Sequence, residues 1–233
     1  MTPRAARLNL FLCAVMHGLN HYLMIFYKPM YPQMAEFFGL TTVAEMTTRL
    51  TLAYVGYGIA NFLTGLLARR VSLKLLLAGG MLVMSLATLG LALAPADEYP
   101  AAVLCAFLMG LGGGTYHPAA NTLMTSLYET RPGHAIGVLS IGSAVGFITA
   151  PIVGTTVGKE WLGFQNLFLI SGLVALGFAV LFLCAVTDQP AAARRAFRND
   201  RTPLAFPKRL FAVLIVLVSV PTILRDIISW GYY

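Results

Sequence analysis

Long apolar stretches separated by short polar connections dominate the pattern along this chain of 233 residues. A helix needs about 20 mostly apolar residues to cross the hydrocarbon core of a bilayer. In lipid each segment must also satisfy its own backbone polar groups, so we expect an all-α, polytopic transmembrane helix bundle. The pattern predicts seven spanning helices, at 8–28, 50–69, 73–94, 101–125, 134–157, 163–186 and 209–229.

The connections divide the chain into three predicted parts. Those between the first six spans are short, whereas residues 187–208 form a longer stretch that is polar, basic and contains proline. We therefore expect an N-terminal six-helix bundle at 1–186, a basic cytoplasmic linker at 187–208, and the first helix of an incomplete second bundle at 209–233. Spans 1–3 and 4–6 are candidates for two copies of a three-helix unit, a common construction in transporters.

The distribution of charged residues predicts how the chain is oriented in the membrane. Charged residues make up 11% of the chain and the mean hydropathy is +0.76, whereas a soluble domain has about 25% charged residues. With the N-terminus inside, twelve Lys and Arg residues fall on the cytoplasmic side and three on the other. This bias predicts a cytoplasmic N-terminus. We expect a multi-pass protein of the plasma membrane, in particular of a bacterial inner membrane, embedded in the lipid bilayer and without nucleic-acid binding.

Several kinds of chemistry find no support in the sequence. Cys13, Cys105 and Cys184 lie singly within spans, which predicts small core residues rather than disulfides. No G-x4-G-K-[ST] loop occurs, so ATP-driven transport by this chain is not expected. We expect no cofactor and no bound metal.

The first span carries a polar stripe. His17 and His21 lie one helical turn apart, with Asn20 alongside. Two interpretations stay open: a hydrogen bond between helices, or a substrate or proton site, since ionisable groups within spans often mark a pathway. An imidazole also titrates near neutral pH.

The fourth span carries a comparable stripe of Gly110, Gly114, His117 and Asn121. The run of three glycines at 112–114 and Pro118 predict a bent or locally unwound helix there. Two interpretations of His117 stay open: it shapes the bend together with Pro118, or it binds substrate or a proton. The second span has a milder polar stripe, formed by Tyr54, Tyr57, Asn61 and Thr64.

The fifth span contains small residues at intervals of four. Such ladders let helix backbones approach closely, so this face predicts helix packing. The ladder consists of Gly142, Gly146, Ala150 and Gly154, with Pro151 inside it.

Together these motifs resemble the major facilitator superfamily of secondary transporters. The segment from Gly137 is similar to the family pattern G-x8-G-x3-G-P-x2-G-G, in which Gly137, Gly146, Pro151 and Gly154 fit and Ala150 and Thr155 depart. The loop GLLARRVSLK is similar to G-x3-D-R-x-G-R-K, in which Gly65, Arg70 and Lys74 fit, while Arg69 replaces the Asp and Ser72 the Gly. The resemblance implies a cytoplasmic gating loop formed by Gly65, Arg69, Arg70 and Lys74.

Two shorter motifs resemble the fosmidomycin-resistance-like branch of this family. HGLNHYLMIFYKPMYPQM is similar to H-x2-N-D-x-Y…P, with His21 in the place of an Asp. GLGGGTYHPAA is similar to G-x-G-x2-F-H-P. An Arg that relatives often carry before these glycines, and that is linked to proton coupling, is missing here.

The resemblance implies twelve spans in two halves, so we interpret the chain as a first half that needs a C-terminal half in cis or in trans. It implies secondary active transport of a small molecule by alternating access, with efflux expected first and organic-anion uptake second. Coupling to protons or another ion gradient is open. The residues expected in the substrate or proton cavity are His17, Asn20, His21, Tyr57, Asn61, His117, Asn121 and Arg225.

Other classes of function have weaker support in the sequence than transport. His17-x3-His21 is similar to a single histidine box of membrane desaturases, but the chain has only four histidines. Ser140 or Ser143 with a histidine would suit an intramembrane protease. We expect no enzyme activity. A truncated, non-transporting half or remnant of a carrier is the second hypothesis for the chain.

Overall fold

A computed structural model describes residues 2–188 as an all-helical bundle, which confirms the predicted fold class. The span predicted at 209–229, Arg225 and all but the first two residues of the predicted linker lie outside the described residues. The helices are α1 (Pro3–Ile25), α2 (Tyr31–Phe37), α3 (Val43–Leu50), α4 (Leu52–Leu67), α5 (Leu73–Leu93), α6 (Tyr99–Gly114), α7 (Tyr116–Leu127), α8 (Pro132–Val153) and α9 (Gly163–Ala185). A 3₁₀ turn, Lys28–Met30, precedes α2, and a π-helical segment, Gly154–Leu162, follows α8.

Five helical segments of the described chain are long and apolar enough to cross a membrane, judged by length and composition. They are Pro3–Phe37, Val43–Leu67, Leu73–Leu93, Tyr99–Leu127 and Pro132–Ala185. The last has 54 residues, which is long enough for two crossings. The chain is thus a multi-pass membrane protein, while the number of seven spans stays a prediction.

The first segment is longer at both ends than the predicted span at 8–28. Helix α1 already begins at Pro3, where proline is tolerated because the first N–H groups of a helix have no partner within it. Thr2 caps this end by accepting a hydrogen bond from the backbone N–H of Ala5 at 3.3 Å. Beyond Ile25 the helical path continues through prolines that again occupy first-turn positions. The helical path therefore extends beyond the apolar stretch at both ends.

Helices α1 and α8 lie side by side and run in the same direction. A Cβ at Gly142 would overlap the carbonyl of Ala14, and one at Gly154 would overlap the carbonyl of Phe26. Residue numbers thus rise together along the two helices. The backbones approach this closely because glycine leaves no side chain between them.

Helix α9 runs against α1, so the chain reverses between α8 and α9. The side-chain amide of Asn9 donates to the Thr187 carbonyl at 2.6 Å, and its oxygen accepts from the Thr187 N–H at 3.1 Å. Farther along, the Tyr22 and Ser171 hydroxyls are 3.0 Å apart. Gly163, with φ of 75°, stands at the start of α9 in a conformation that favours glycine. These contacts support two spans within the 54-residue segment.

Helices α4 and α6 form a second close, same-direction pair. A Cβ at Gly110 would overlap the carbonyl of Ala53, and one at Gly114 would overlap that of Tyr57. These glycines of the fourth-span stripe therefore pack against α4. His117 of the same stripe also lies near α4, edge-on to Tyr57, whereas Asn121 is exposed.

The two close pairs are related by the suspected duplication. Helix α1 belongs to the first span and α8 to the fifth, while α4 belongs to the second and α6 to the fourth. If spans 1, 2 and 3 correspond to spans 4, 5 and 6, then the contact between spans 1 and 5 corresponds to the contact between spans 4 and 2. The contact between α5 and α9, in spans 3 and 6, is its own equivalent under this exchange. This pattern fits two copies of a three-helix unit.

Replacing Gly146 by alanine tests the close approach of α1 and α8. A Cβ there would overlap the carbonyl of Gly18, whereas a Cβ at Gly137 meets nothing within 4 Å. Alanine raises helix propensity by about 1 kcal/mol at either site, but overpacking costs about 1–3 kcal/mol. In detergent, Gly146→Ala should therefore melt at a lower temperature than Gly137→Ala, as measured by size-exclusion chromatography after heating. Equal melting temperatures would contradict the packing.

Candidate functional site

Three histidines from two helices meet inside the bundle. The ring centroids of His17 and His21 on α1 are 4.8 Å apart. His117 on α7 lies edge-on to His17 at 4.9 Å and tilted to His21 at 5.7 Å. His17 is buried, and the other two rings are half-buried. The structure thus brings His17 and His21 of the first-span stripe together with His117 of the fourth-span stripe.

Hydrogen bonds define how protons are arranged in the neutral histidine pair. The Nδ1 of His17 lies 2.8 Å from the carbonyl oxygen of Leu139 on α8, and because that oxygen can only accept, Nδ1 carries the hydrogen. The Nε2 of His17 is then an acceptor, and the His21 Nε2, 3.1 Å away, donates to it. The assignment leaves the Nδ1 of His21 as an acceptor.

Aromatic rings fix the histidine side chains in place. Tyr116 stacks on His17 with centroids 4.5 Å apart, and its hydroxyl donates to the Cys13 carbonyl at 2.7 Å. Phe147 on α8 stacks on His21 at 4.2 Å. Sequence reasoning missed both aromatics. Adjacency to His117 was a possible signal for Tyr116, whereas Phe147 carries no comparable signal in the sequence.

The fourth span, where a bend or local unwinding was predicted, has a one-residue break at Thr115 between α6 and α7, although the Thr115 backbone stays in the α-helical region at φ −69° and ψ −23°. Pro118 has no N–H to offer the carbonyl four residues earlier, so the helical ladder cannot continue unbroken. The Thr115 hydroxyl instead donates to the Gly112 carbonyl at 2.9 Å. The side-chain amide of Asn20 donates to the Gly113 carbonyl at 2.8 Å. Asn20 therefore joins α1 to the interruption.

Asn20 also has a buried oxygen with no hydrogen-bond partner among the described residues. Its side chain is 2% exposed. Because its nitrogen must face the Gly113 carbonyl, the orientation of the amide is determined. A buried acceptor without a partner destabilises a fold by about 1–3 kcal/mol. Water or a bound ligand with a donor group is the expected partner.

The other predicted cavity residues are distributed unevenly. Tyr57 on α4 lies edge-on to His117, with centroids 6.3 Å apart. Asn61, one turn later, is half-buried, whereas the side chain of Asn121 on α7 is exposed. The predicted role of Arg225 concerns a residue outside the described part. The cluster therefore consists of His17, Asn20, His21, Tyr57 and His117.

An apolar groove of about 710 Å³ lies elsewhere, where α1, α8 and α9 meet. Its lining includes Gly18 and Tyr22 of α1, but none of the three histidines. Apolar walls suit lipid or packing better than a polar ligand. We therefore place the candidate site at the histidine cluster.

The predicted gating residues surround the turn between α4 and α5. Gly65 lies in the last turns of α4, Arg69 and Arg70 are exposed in the turn, and Lys74 lies in the first turn of α5. Ser72, which replaces the family's glycine, caps α5 by accepting from the Leu75 N–H at 3.2 Å. The gating role stays a prediction.

The packing residues of the fifth span differ in their surroundings. Gly142 and Gly146 face α1, and Ala150 is fully buried. Pro151 is exposed, and a Cβ at Gly137 would meet no atom within 4 Å. Gly142 and Gly146 therefore serve helix packing within the described bundle.

The sequence profile of the Major Facilitator Superfamily matches residues 10–231. The chain belongs to this superfamily. It is 32% identical over 139 residues to the hexuronate transporter of Bacillus subtilis, covering 58% of this chain and 32% of that protein. It is 31% identical over 166 residues to the multidrug resistance protein MdtG of Serratia proteamaculans, covering 69% of this chain and 39% of that protein.

Solved structures show the same fold. A bacterial homologue of the human lysosomal transporter Spinster, in an inward-facing and unoccupied conformation, matches with a TM-score of 0.67 at 17% identity. The match covers 82% of this chain and 45% of that one. The chain thus spans about a third to a half of the length of these relatives. The fosmidomycin-resistance-like branch stays a prediction.

Family membership points to a transporter rather than an enzyme. The serine hydroxyls that suggested a protease also donate to their own helix, Ser140 to the Ile136 carbonyl at 3.0 Å and Ser143 to the Ser140 carbonyl at 2.9 Å. Neither bond reaches a histidine.

Replacing Asn20 by alanine tests its link to the interrupted helix. The Gly113 carbonyl would lose its side-chain donor, at a cost of about 1–3 kcal/mol. Since water is expected to pair the Asn20 oxygen in the unliganded chain, removing that oxygen returns little, and the net effect should be a destabilisation. Asn121→Ala is the matched control, because its side chain is exposed and such changes usually stay within about 0.5 kcal/mol. The measurement is the melting temperature in detergent. A loss of stability in Asn121→Ala equal to that in Asn20→Ala would contradict this role.

Proposed function

We propose that the chain is the N-terminal part of a secondary active transporter that moves a small molecule by alternating access, in the direction of efflux. The observation that carries this proposal is the histidine cluster itself. It gathers polar side chains from the first, second and fourth spans around one point inside the bundle. Polar groups at membrane depth usually line a pathway.

The interrupted fourth span supports a binding role for this point. Discontinuous helices expose backbone groups near the middle of transporters, where substrates and coupling ions bind. Here the interruption lies beside Asn20, whose oxygen is left for a ligand or water. Names of relatives agree with export, since MdtG of Serratia proteamaculans and PmrA of Streptococcus pneumoniae are multidrug resistance or efflux proteins.

Uptake of an organic anion is the second candidate. The predicted cavity residues in the described part of the chain are neutral or histidine side chains, and they contribute no carboxylate to attract a cation. Protonation of the histidines would make it positive and attractive to an anion. The relative from Bacillus subtilis is a hexuronate transporter.

The proposal includes a C-terminal half, supplied in cis or in trans, and a bacterial inner membrane as the location. Two of the three histidine rings are only half-buried in the described bundle, and a polar surface is costly against lipid. A second half would cover it. A non-transporting half remains the alternative for the chain alone.

Transport is tested in inverted membrane vesicles from cells that express the native gene encoding this chain. Efflux predicts energised uptake of a fluorescent lipophilic cation into the vesicles. The anion alternative predicts accumulation of radiolabelled glucuronate by intact cells instead. Vesicles and cells with an empty vector are the control. Transport of neither probe above the control would favour the non-transporting alternative.

Proton coupling is tested by removing each histidine of the α1 pair. If the hydrogen-bonded imidazoles of His17 and His21 bind the coupling proton, the dependence of transport on the pH gradient should be lost in His17→Ala and in His21→Ala. His134→Ala is the matched control, because this histidine is exposed at the start of α8. Unchanged pH dependence in both α1 variants would reject this role.

A further inference from the structure

The histidine cluster has the composition of a transition-metal site. The side-chain nitrogens available as ligands from His17, His21 and His117 all lie within 4.8 Å of one another. Imidazole nitrogens suit Zn²⁺, Cu²⁺ and Ni²⁺, and three histidines with one open position form a known type of zinc site. We propose that these three histidines bind a single divalent transition-metal ion, Zn²⁺ first, within the bundle. The sequence alone predicted no metal.

The spacing of the α1 pair matches the requirement of such an ion. The two Nε2 atoms are 3.1 Å apart. Two nitrogens on a tetrahedral zinc ion, with bonds of about 2.0–2.1 Å, are separated by about 3.3 Å. Two histidines four residues apart on one helix face are a recurring pair of zinc ligands. Little movement of α1 is therefore needed.

His17 already has the support that metal-binding histidines typically have. Its Nδ1–H donates to the Leu139 carbonyl at 2.8 Å, which directs the lone pair of Nε2 into the cluster. Such a bond to a backbone carbonyl fixes the tautomer and orientation of a ligating imidazole. The stacked ring of Tyr116 holds the same imidazole from one face.

His117 supplies the third ligand from a different helix, so the ion would bridge α1 and α7. The His117 ring is half-buried and makes only edge-on or tilted ring contacts, which leaves an entry path and room for its side chain to rotate and shorten the longer nitrogen separations. For binding, the hydrogen on the His21 Nε2 moves to Nδ1 through solvent, so the three ligands stay neutral. The double positive charge then favours water or an anion at the fourth position.

Metal content is measured on the whole chain, purified in detergent with a tag that contains no histidine. After equilibration with Zn²⁺ and gel filtration, the chain should retain a single ion. His17→Ala, His21→Ala and His117→Ala should each weaken binding by more than about 100-fold, since losing even an outer-shell partner costs about 10–100-fold. The exposed His134 provides the control, and His134→Ala should bind as the unmodified chain does.

Cobalt spectroscopy on the unmodified chain keeps the proposal testable if a variant does not fold. Tetrahedral Co²⁺ on histidine nitrogens gives visible d–d absorption, whereas binding to any of the three free cysteines would add a thiolate charge-transfer band. We expect the visible absorption without that band. A thiolate band, no retained Zn²⁺, or equal retention by His134→Ala and the three cluster variants would overturn the proposal. None of these readouts depends on transport.

Discussion

Close backbone approach at glycine is the constraint on which the described bundle depends. Lipid is as apolar as leucine, so helices in a membrane gain little by hiding apolar side chains from it and must associate through tight packing. Here Gly142 and Gly146 bring α8 onto α1, and Gly110 and Gly114 bring α6 onto α4. Both pairs run in the same direction. The histidine cluster depends on the first pair, because the Leu139 carbonyl of α8 orients His17.

The second requirement is that every polar group at membrane depth needs a partner. The interruption at Thr115 frees backbone carbonyls that a continuous helix would use, and neighbouring side chains serve them, with Asn20 reaching across from α1. The Tyr116 hydroxyl likewise bonds the Cys13 carbonyl of α1. These hydrogen bonds link α1 to the interrupted helix near the histidines. The same bonds therefore stabilise the interruption and position the candidate site.

Sequence patterns predicted the fold class and much of the site, for physical reasons that differ by residue. Apolar length predicted a set of membrane-crossing helices, of which the described residues show five long segments. Helical periodicity placed His17, Asn20 and His21 on one face. The Gly-Gly-Gly and His-Pro signals predicted the interruption at the fourth span. Helix ends were less predictable, because α1 begins at Pro3, before the apolar stretch at 8–28 starts. Phe147 and the Leu139 carbonyl could not be predicted, since their contacts depend on how α8 packs against α1.

Proton uptake and metal binding would use the same nitrogens, so one histidine cluster cannot bind a proton and a metal ion at the same time. A ligating imidazole nitrogen must be free of its proton. In the neutral pair, the His21 Nε2–H occupies the lone pair of His17, and a bound ion would replace that hydrogen bond. An ion bridging α1 and α7 would also hold two helices of the candidate site at a fixed separation. Because α1 and α7 belong to the same predicted half, and alternating access largely rocks one half against the other, bound metal would act on transport by displacing protons from these nitrogens rather than by blocking the movement of the halves.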